Sequence, residues 1–169
     1  MIKETTPGNL VFAENVPEEL RERPQWVCWR YEERDEKPTK VPYQPNGKRA
    51  TVTDLMTWWG FEHCVMEAAH HFDGVGFVFS SADPFVGIDL DDCRDPETGA
   101  ISEWAQKIIE RVSEGYTEIS PSGEGVHVIV EGTVRGGRTR KKVRVNGEVV
   151  GQVEMYGHSK FFTVTGVSR

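Results

Sequence analysis

No stretch of this 169-residue chain approaches the ~18 to 20 consecutive apolar residues that a membrane-spanning helix needs, so a membrane partner is not expected. Cysteine is scarce: Cys28, Cys64 and Cys93 are odd in number, widely spaced and free of any CxxC pair, which fits neither a disulfide framework nor the usual spacing of a zinc site. The opening residues, MIKETTPGNL, hold no apolar core of the signal-peptide kind. A reducing, intracellular compartment is the expectation. Internal repeats and low-complexity linkers are also missing, and at this length the chain suits one packed domain over residues 1–169. Net positive charge is absent too: a formal −7 argues against tight non-specific binding to duplex nucleic acid by this domain alone.

The acidity is uneven. Residues 133–144 read TVRGGRTRKKVR, with six basic residues (Arg135, Arg138, Arg140, Lys141, Lys142, Arg144) and no acid, which leaves −13 on the remainder. Taken alone such a run reads as a solvated, mobile loop. It also suits a phosphate-binding arm, because Lys and Arg gain affinity by releasing the counterions condensed on a polyanion.

Composition and periodicity outline the elements. QWVCWRYEE (25–33) has strand chemistry, and RDEKPTKVPYQPNGK (34–48), with three prolines and an Asn-Gly pair, reads as turns. Thr53 is placed to cap a helix running to about His71, with Leu55, Trp58, Trp59, Cys64, Val65 and Ala68 at helical spacing. GVGFVFS is a short buried strand, and Asp83-Pro84 turns the chain into FVGIDLDD. A second helix is expected from about Ser102, with Trp104, Ile108, Ile109 and Val112 on one face. Strands follow: YTEIS, GVHVIVEG, a hairpin KVRVNGEVVGQVEMY turned at Asn146-Gly147, and KFFTVTGV.

Side-chain alternation along three of these strands sorts acids from apolar residues. Val86, Ile88 and Leu90 take one face while Asp89 and Asp91 take the other; Asp92 has the wrong parity and is expected at a solvent-facing strand end. Val126, Val128 and Val130 oppose His127, and Val153 and Met155 oppose Glu154. Were these strands neighbours, three carboxylates and an imidazole would converge on one face. Carboxylates that close repel, and a divalent ion such as Mg²⁺ or Mn²⁺, held by one or two acids and by substrate phosphates, removes the conflict. DLDD alone is equally a surface turn or an accidental cation site. In SPSGEGVHVIV (120–130), serines and glycines around a tight turn suit a nest of backbone N–H groups for phosphate oxygens, with His127 beside it. For that string by itself, an ordinary hairpin with a half-buried histidine is the favoured reading.

Taken together and in order, VGIDLDDC, SPSGEGVHVIV and VEMYGHSKFFTVTG resemble the catalytic core of the archaeo-eukaryotic primase superfamily, in the primase-polymerase branch found in viruses and mobile elements. The family's hydrophobic-Asp-x-Asp, small-x-His and hydrophobic-acid motifs match Ile88-Asp89-Leu90-Asp91, Gly125-Val126-His127 and Val153-Glu154. Residues 26–64 and GVGFVFS resemble the N-terminal module of virus-type members, so the likeness spans about Pro17 to Gly166. Two positions depart from the pattern: Glu154 stands where many relatives have Asp, and Gly125 where others have Ser.

The resemblance implies an RRM-like α+β fold with a mostly antiparallel sheet, and template-directed nucleotidyl transfer that synthesises or extends primers on single-stranded DNA from NTPs or dNTPs. Asp89, Asp91 and Glu154 would then hold two divalent ions, Mg²⁺ or Mn²⁺. His127, with Ser120, Ser122, Gly123 and Lys160, would cradle the nucleotide's triphosphate, and Arg135, Arg138, Arg140 and Lys141 would meet template or primer. Relatives often continue into a helicase region, so the chain is also expected as part of a longer replication protein, acting inside a host cell if viral.

Two other classes share part of the pattern. A metal-dependent nuclease would use the same three acids, but has no need of a triphosphate pocket at His127. A non-catalytic single-stranded nucleic-acid binding module would show aromatics on its central strands, where this chain has acids. The remaining candidates keep plainer readings. Trp58, Trp59 and Trp104 are expected in the core, His63, His70 and His71 lack metal-ligand spacing, and Lys40 and Lys48 belong to a Pro/Gly-rich loop open to a groove.

Overall fold

The computed structural model describes residues 11–169. The chain is α+β, with nine strands in two sheets and few helices among the described residues, and the strand pairings set out below are antiparallel. It divides into two compact units: one runs through Val78 and takes back Thr163–Gly166, and the other comprises Phe79–Phe162 with Val167–Arg169.

In the first unit a single helical turn, α1 (Glu18–Arg21), precedes β1 (Trp26–Arg34). Pairing β1 on one side, β2 (Lys37–Tyr43) occupies much of the stretch whose prolines suggested turns. The real turn is Asp35-Glu36, both at positive φ (49° and 58°), the backbone that a two-residue hairpin requires. Prolines 38 and 42 are tolerated because β2 is an outer strand in the order β2-β1-β3-β9, with one row of backbone groups already unpaired. Lys40 therefore stands on a strand, with its ammonium 5.8 Å from the ring centre of Trp29.

The helix expected from Thr53 starts later, as α2 (Phe61–His71). Asp54, not Thr53, caps a short 3-10 turn (Leu55–Thr57) by accepting from the Met56 N–H. Residues 58–60 are then extended, because Trp59 exchanges two backbone hydrogen bonds with Trp26 (2.8 and 3.0 Å). Trp58 and Trp59 thus lie off any helix and half-buried, their indole N–H groups donating to the Thr51 carbonyl and to Gln44. Next, β3 (Gly74–Phe79) is buried along its whole length.

In the second unit are β4 (Phe85–Asp91), α3 (Glu103–Arg111), β5 (Tyr116–Ile119), β6 (Val126–Glu131), β7 (Arg138–Val145) and β8 (Glu148–Tyr156). The last strand, β9 (Lys160–Val164), follows. Asp83 enforces the turn into β4 by accepting from the N–H groups of Ser80 and Phe85. Asn146 and Gly147, at φ 50° and 84°, join β7 to β8 as the sequence predicts. The sheet runs β5-β6-β4-β8-β7. One face packs Val86, Ile88, Leu90, Val126 and Val128 against Ala105 and Ile109 of α3, with Trp104, Val153 and Met155 at the margin. Gly151 makes room for that helix: a Cβ there would lie 2.5 Å from the Trp104 ring. With its apolar residues committed to α3, the sheet presents the alternate residues on its opposite face.

Candidate active site

The three motif strands are neighbours, and their registers align. Asp89 lies directly opposite His127 on β6 and opposite Glu154 on β8. The line extends to both margins, since His127 faces Glu118 on β5 and Glu154 faces Arg140 on β7. One residue from each of five strands, Glu118, His127, Asp89, Glu154 and Arg140, thus forms a straight charged row on the face away from α3. Directly opposed side chains in an antiparallel pair have Cβ atoms about 4.5–5.5 Å apart, so every neighbour in the row is within reach of the next. Two residues along, Asp91, Gln152 and Lys142 form a second, shorter row.

Contacts follow from the register. The imidazole of His127 sits between two carboxylates, with Nδ1 3.3 Å from Glu118 Oε1 and Nε2 3.6 Å from Asp89 Oδ1. Phe162 stacks on the ring at 4.9 Å. Glu154, 6% exposed, forms an ion pair with Arg140 (2.6 Å) and accepts from the Gln152 amide on the same oxygen (2.6 Å). Asp91 carries the charge imbalance. Burial above all, then the negative charges of Asp89, Glu154 and Asp92, push its pKa up to about 6, with His127 opposing. Asp92 itself leaves the strand at φ 55° and is exposed, as its parity predicts. A cleft of about 330 Å³ opens beside the second row, between Asp91, Ser122, Lys142 and Gln152.

Hard oxygen donors with excess negative charge are the donor set that suits a divalent cation, and the charges of Asp89, Glu154 and Asp92 add to burial in raising the pKa of Asp91. Asp89, Asp91 and Glu154 therefore fit such an ion chemically. Among the described residues, however, no group of three His, Cys, Asp or Glu side chains is close-set enough to hold a metal as it stands. Arg140 already answers part of Glu154's charge.

Of the other expected residues, Ser120, Ser122 and Gly123 lie together in the turn between β5 and β6, with Gly123 at φ 78°. Their polar groups are largely spent on the turn: the two hydroxyls are 3.1 Å apart, and the Gly123, Glu124 and Gly125 N–H groups donate to Ser120 O, Ser122 Oγ and Ser120 Oγ. Lys160 begins β9 with its ammonium 5.0 Å from the ring centre of Tyr156, which also faces the Arg138 guanidinium at 5.4 Å. The expected mobile arm is largely strand. Only Arg135 lies in a turn, made by Gly136 and Gly137 at positive φ. Arg138, Arg140 and Lys141 belong to β7, where eight consecutive residues pair with β8. Alternation sets Arg138 and Arg140 on the acidic face, and Lys141, opposite Val153, on the other.

Glu118 and Gln152 are site residues that sequence reasoning missed. The signal was present for Glu118. Alternation along YTEI places an acid inside a four-residue strand, flanked by Thr117 and Ile119.

An antiparallel α+β domain with a helix on one sheet face and an aspartate pair, a histidine and a glutamate on the other defines the class of protein: one whose open face is built for charge. No family model matches the chain. Over 144 residues, 84% of its length, it is 38% identical to a DNA primase-polymerase of Nitratiruptor phage NrS-1, and spans 19% of that relative's length. Over most of its own length the chain is therefore similar to a part of a viral primase-polymerase. The likeness lends no support to a helicase module, and among the described residues no helix is long and apolar enough to cross a membrane.

Proposed function

We propose that this domain is a template-directed nucleotidyltransferase that makes or extends primers on single-stranded DNA. The observation that carries the reading is the cross-strand alignment of Asp89, His127 and Glu154, in a chain 38% identical to a phage primase-polymerase. An antiparallel sheet with α3 on one face and the acids on the other also supports an RRM-like core. Asp89, Asp91 and Glu154 would hold two divalent ions, Mg²⁺ or Mn²⁺, which would supply Lewis acidity toward the attacking 3′-hydroxyl and charge neutralisation for the departing pyrophosphate.

The chain's own groups do the rest. His127 holds the triphosphate from its side of the acids, and Arg138, Arg140 and Lys160 hold phosphate charge from the other. Ser120, Ser122 and Gly123 shape the wall beside the cleft. With groups fixed on strands, little reorganisation is needed as charge develops at phosphorus. Arg135 and the cations of β7 extend the basic surface toward template and primer. Lys141, on the opposite face, contributes through long-range attraction.

The test is incubation with single-stranded template and Mg²⁺ or Mn²⁺, with labelled NTPs or dNTPs supplied separately, with and without a primer. Elongated product is the expected result. Shortening of the template without incorporation would assign the acids to a nuclease instead, and neither outcome would leave a binding module.

A further inference from the structure

Among the described residues Glu118 is the most deeply buried charged side chain, 1% exposed, and nucleotidyl transfer as set out above gives it no task. A carboxylate taken out of water costs several kcal/mol unless both oxygens are answered. Both are: Oε1 faces His127 Nδ1 at 3.3 Å, and Oε2 accepts the Tyr116 hydroxyl at 2.7 Å. Tyr116 and Glu118, two residues apart on β5, share the active face, so the pair is built into that strand's alternation.

The contacts around His127 hold its ring. An ionised carboxylate only accepts, so Nδ1 facing Glu118 and Nε2 facing Asp89 are both donor positions, the shorter contact being the one to Glu118. Nε2 is left facing Asp89 at 3.6 Å. Phe162 closes the ring face, and Phe162 and Phe79 both lie over Gly87, where a Cβ would come within 2.6 Å of each ring. Glu118 at Nδ1 and Phe162 on one ring face together restrain the imidazole.

We propose that Glu118, backed by Tyr116, is a positioning residue that locks the His127 ring by accepting from Nδ1–H, so that the Nε2–H of the protonated ring is the donor directed at the phosphates of the incoming nucleotide. The nucleotide half of this statement rests on the nucleotidyltransferase reading; the lock on the ring does not. Glu118 never touches substrate and acts only through His127.

Two measurements test it, the first on nucleotide-free protein. The ¹⁵N shifts of the His127 ring, identified by their loss in His127→Ala, should show one pattern with hydrogen on Nδ1 and Nε2, and Glu118→Gln should mix that pattern. Unchanged shifts would overturn the lock whatever the protein's activity. The second is calorimetry of nucleotide binding with Mg²⁺ in wild type, Glu118→Gln, His127→Ala and the double variant. Glu118→Gln should weaken binding by about ten- to a hundredfold, by analogy with the loss when the outer partner of a metal-ligating histidine is removed. The double variant should bind no more weakly than His127→Ala alone. Independent, multiplying losses would make Glu118 a merely structural residue. Should Glu118→Gln fail to fold, Tyr116→Phe removes one bond and keeps the ring, and the same cycle with smaller losses decides the question. If wild type binds no nucleotide, the transferase reading fails, and the ring shifts alone decide the role of Glu118.

Discussion

Asp91 sits where burial and three neighbouring negative charges act together, and its pKa rises from 3.8 to about 6. The folded, metal-free protein therefore keeps a proton that the unfolded chain releases near 3.8. Between those values the unfolded state binds fewer protons than the folded one, so stability falls as pH rises. This group's contribution is complete below about pH 3.8 and gone above about 6. In metal-free urea titrations the midpoint should decline across that window, and Asp91→Asn should flatten the decline; an unaltered slope would place the strain elsewhere. The same repulsion governs the loss-of-function variants. Asp89→Ala or Asp91→Ala should abolish nucleotide incorporation while leaving thermal stability equal or slightly higher, because each removes one member of a mutually repelling set. A folded Asp89→Ala protein that still extends a primer would exclude that residue from catalysis.

Alternation made the three motif strands readable, because β4, β6 and β8 each bury one apolar face against α3, and one buried face fixes which residues oppose it. Elements whose determinants lie elsewhere were not readable. The prolines of β2 mark an outer strand only once β1 is known to lie on one side of it. The start of α2 is set by a long-range bridge between Trp59 and Trp26. In β7, eight residues with a single half-buried position offer no apolar alternation to detect, and pairing with β8 makes the strand. Its partners separate two roles. Arg138 and Arg140 share the face of Glu154, and Lys141 does not. Replacing Arg138 and Arg140 with Ala should weaken single-stranded DNA binding and flatten the slope of log affinity against log salt by up to about 1.4, at ~0.7 per lost phosphate contact. Lys141→Ala, which removes only long-range attraction, should flatten the slope far less. Equal effects from both would mean that DNA follows the outer margin of the sheet, not its acidic face.

For the molecule as a whole, the acids of the site are a stability cost awaiting a ligand. An ion that binds only the folded chain stabilises it by mass action, ~2.7 kcal/mol at a hundredfold excess over Kd, which is on the order of 5–10 °C in Tm for a domain of this size. Mn²⁺ should raise the melting temperature of wild type by that order and leave the Asp89→Ala, Asp91→Ala double variant unmoved. The position of β7 at the end of the five-stranded order has a different consequence, for solubility. An outermost strand is a template on which a second copy can add its own, and clustered like charge is the common deterrent. Arg138, Arg140, Lys141, Lys142 and Arg144 crowd eight residues of β7, so two copies brought together there repel. Those cations act as gatekeepers, and anything that neutralises them opens the gate. Light scattering should show a variant with Arg138, Arg140 and Lys141 all changed to Ala associating at concentrations where wild type is monodisperse, and wild type itself drifting the same way as rising salt screens the repulsion.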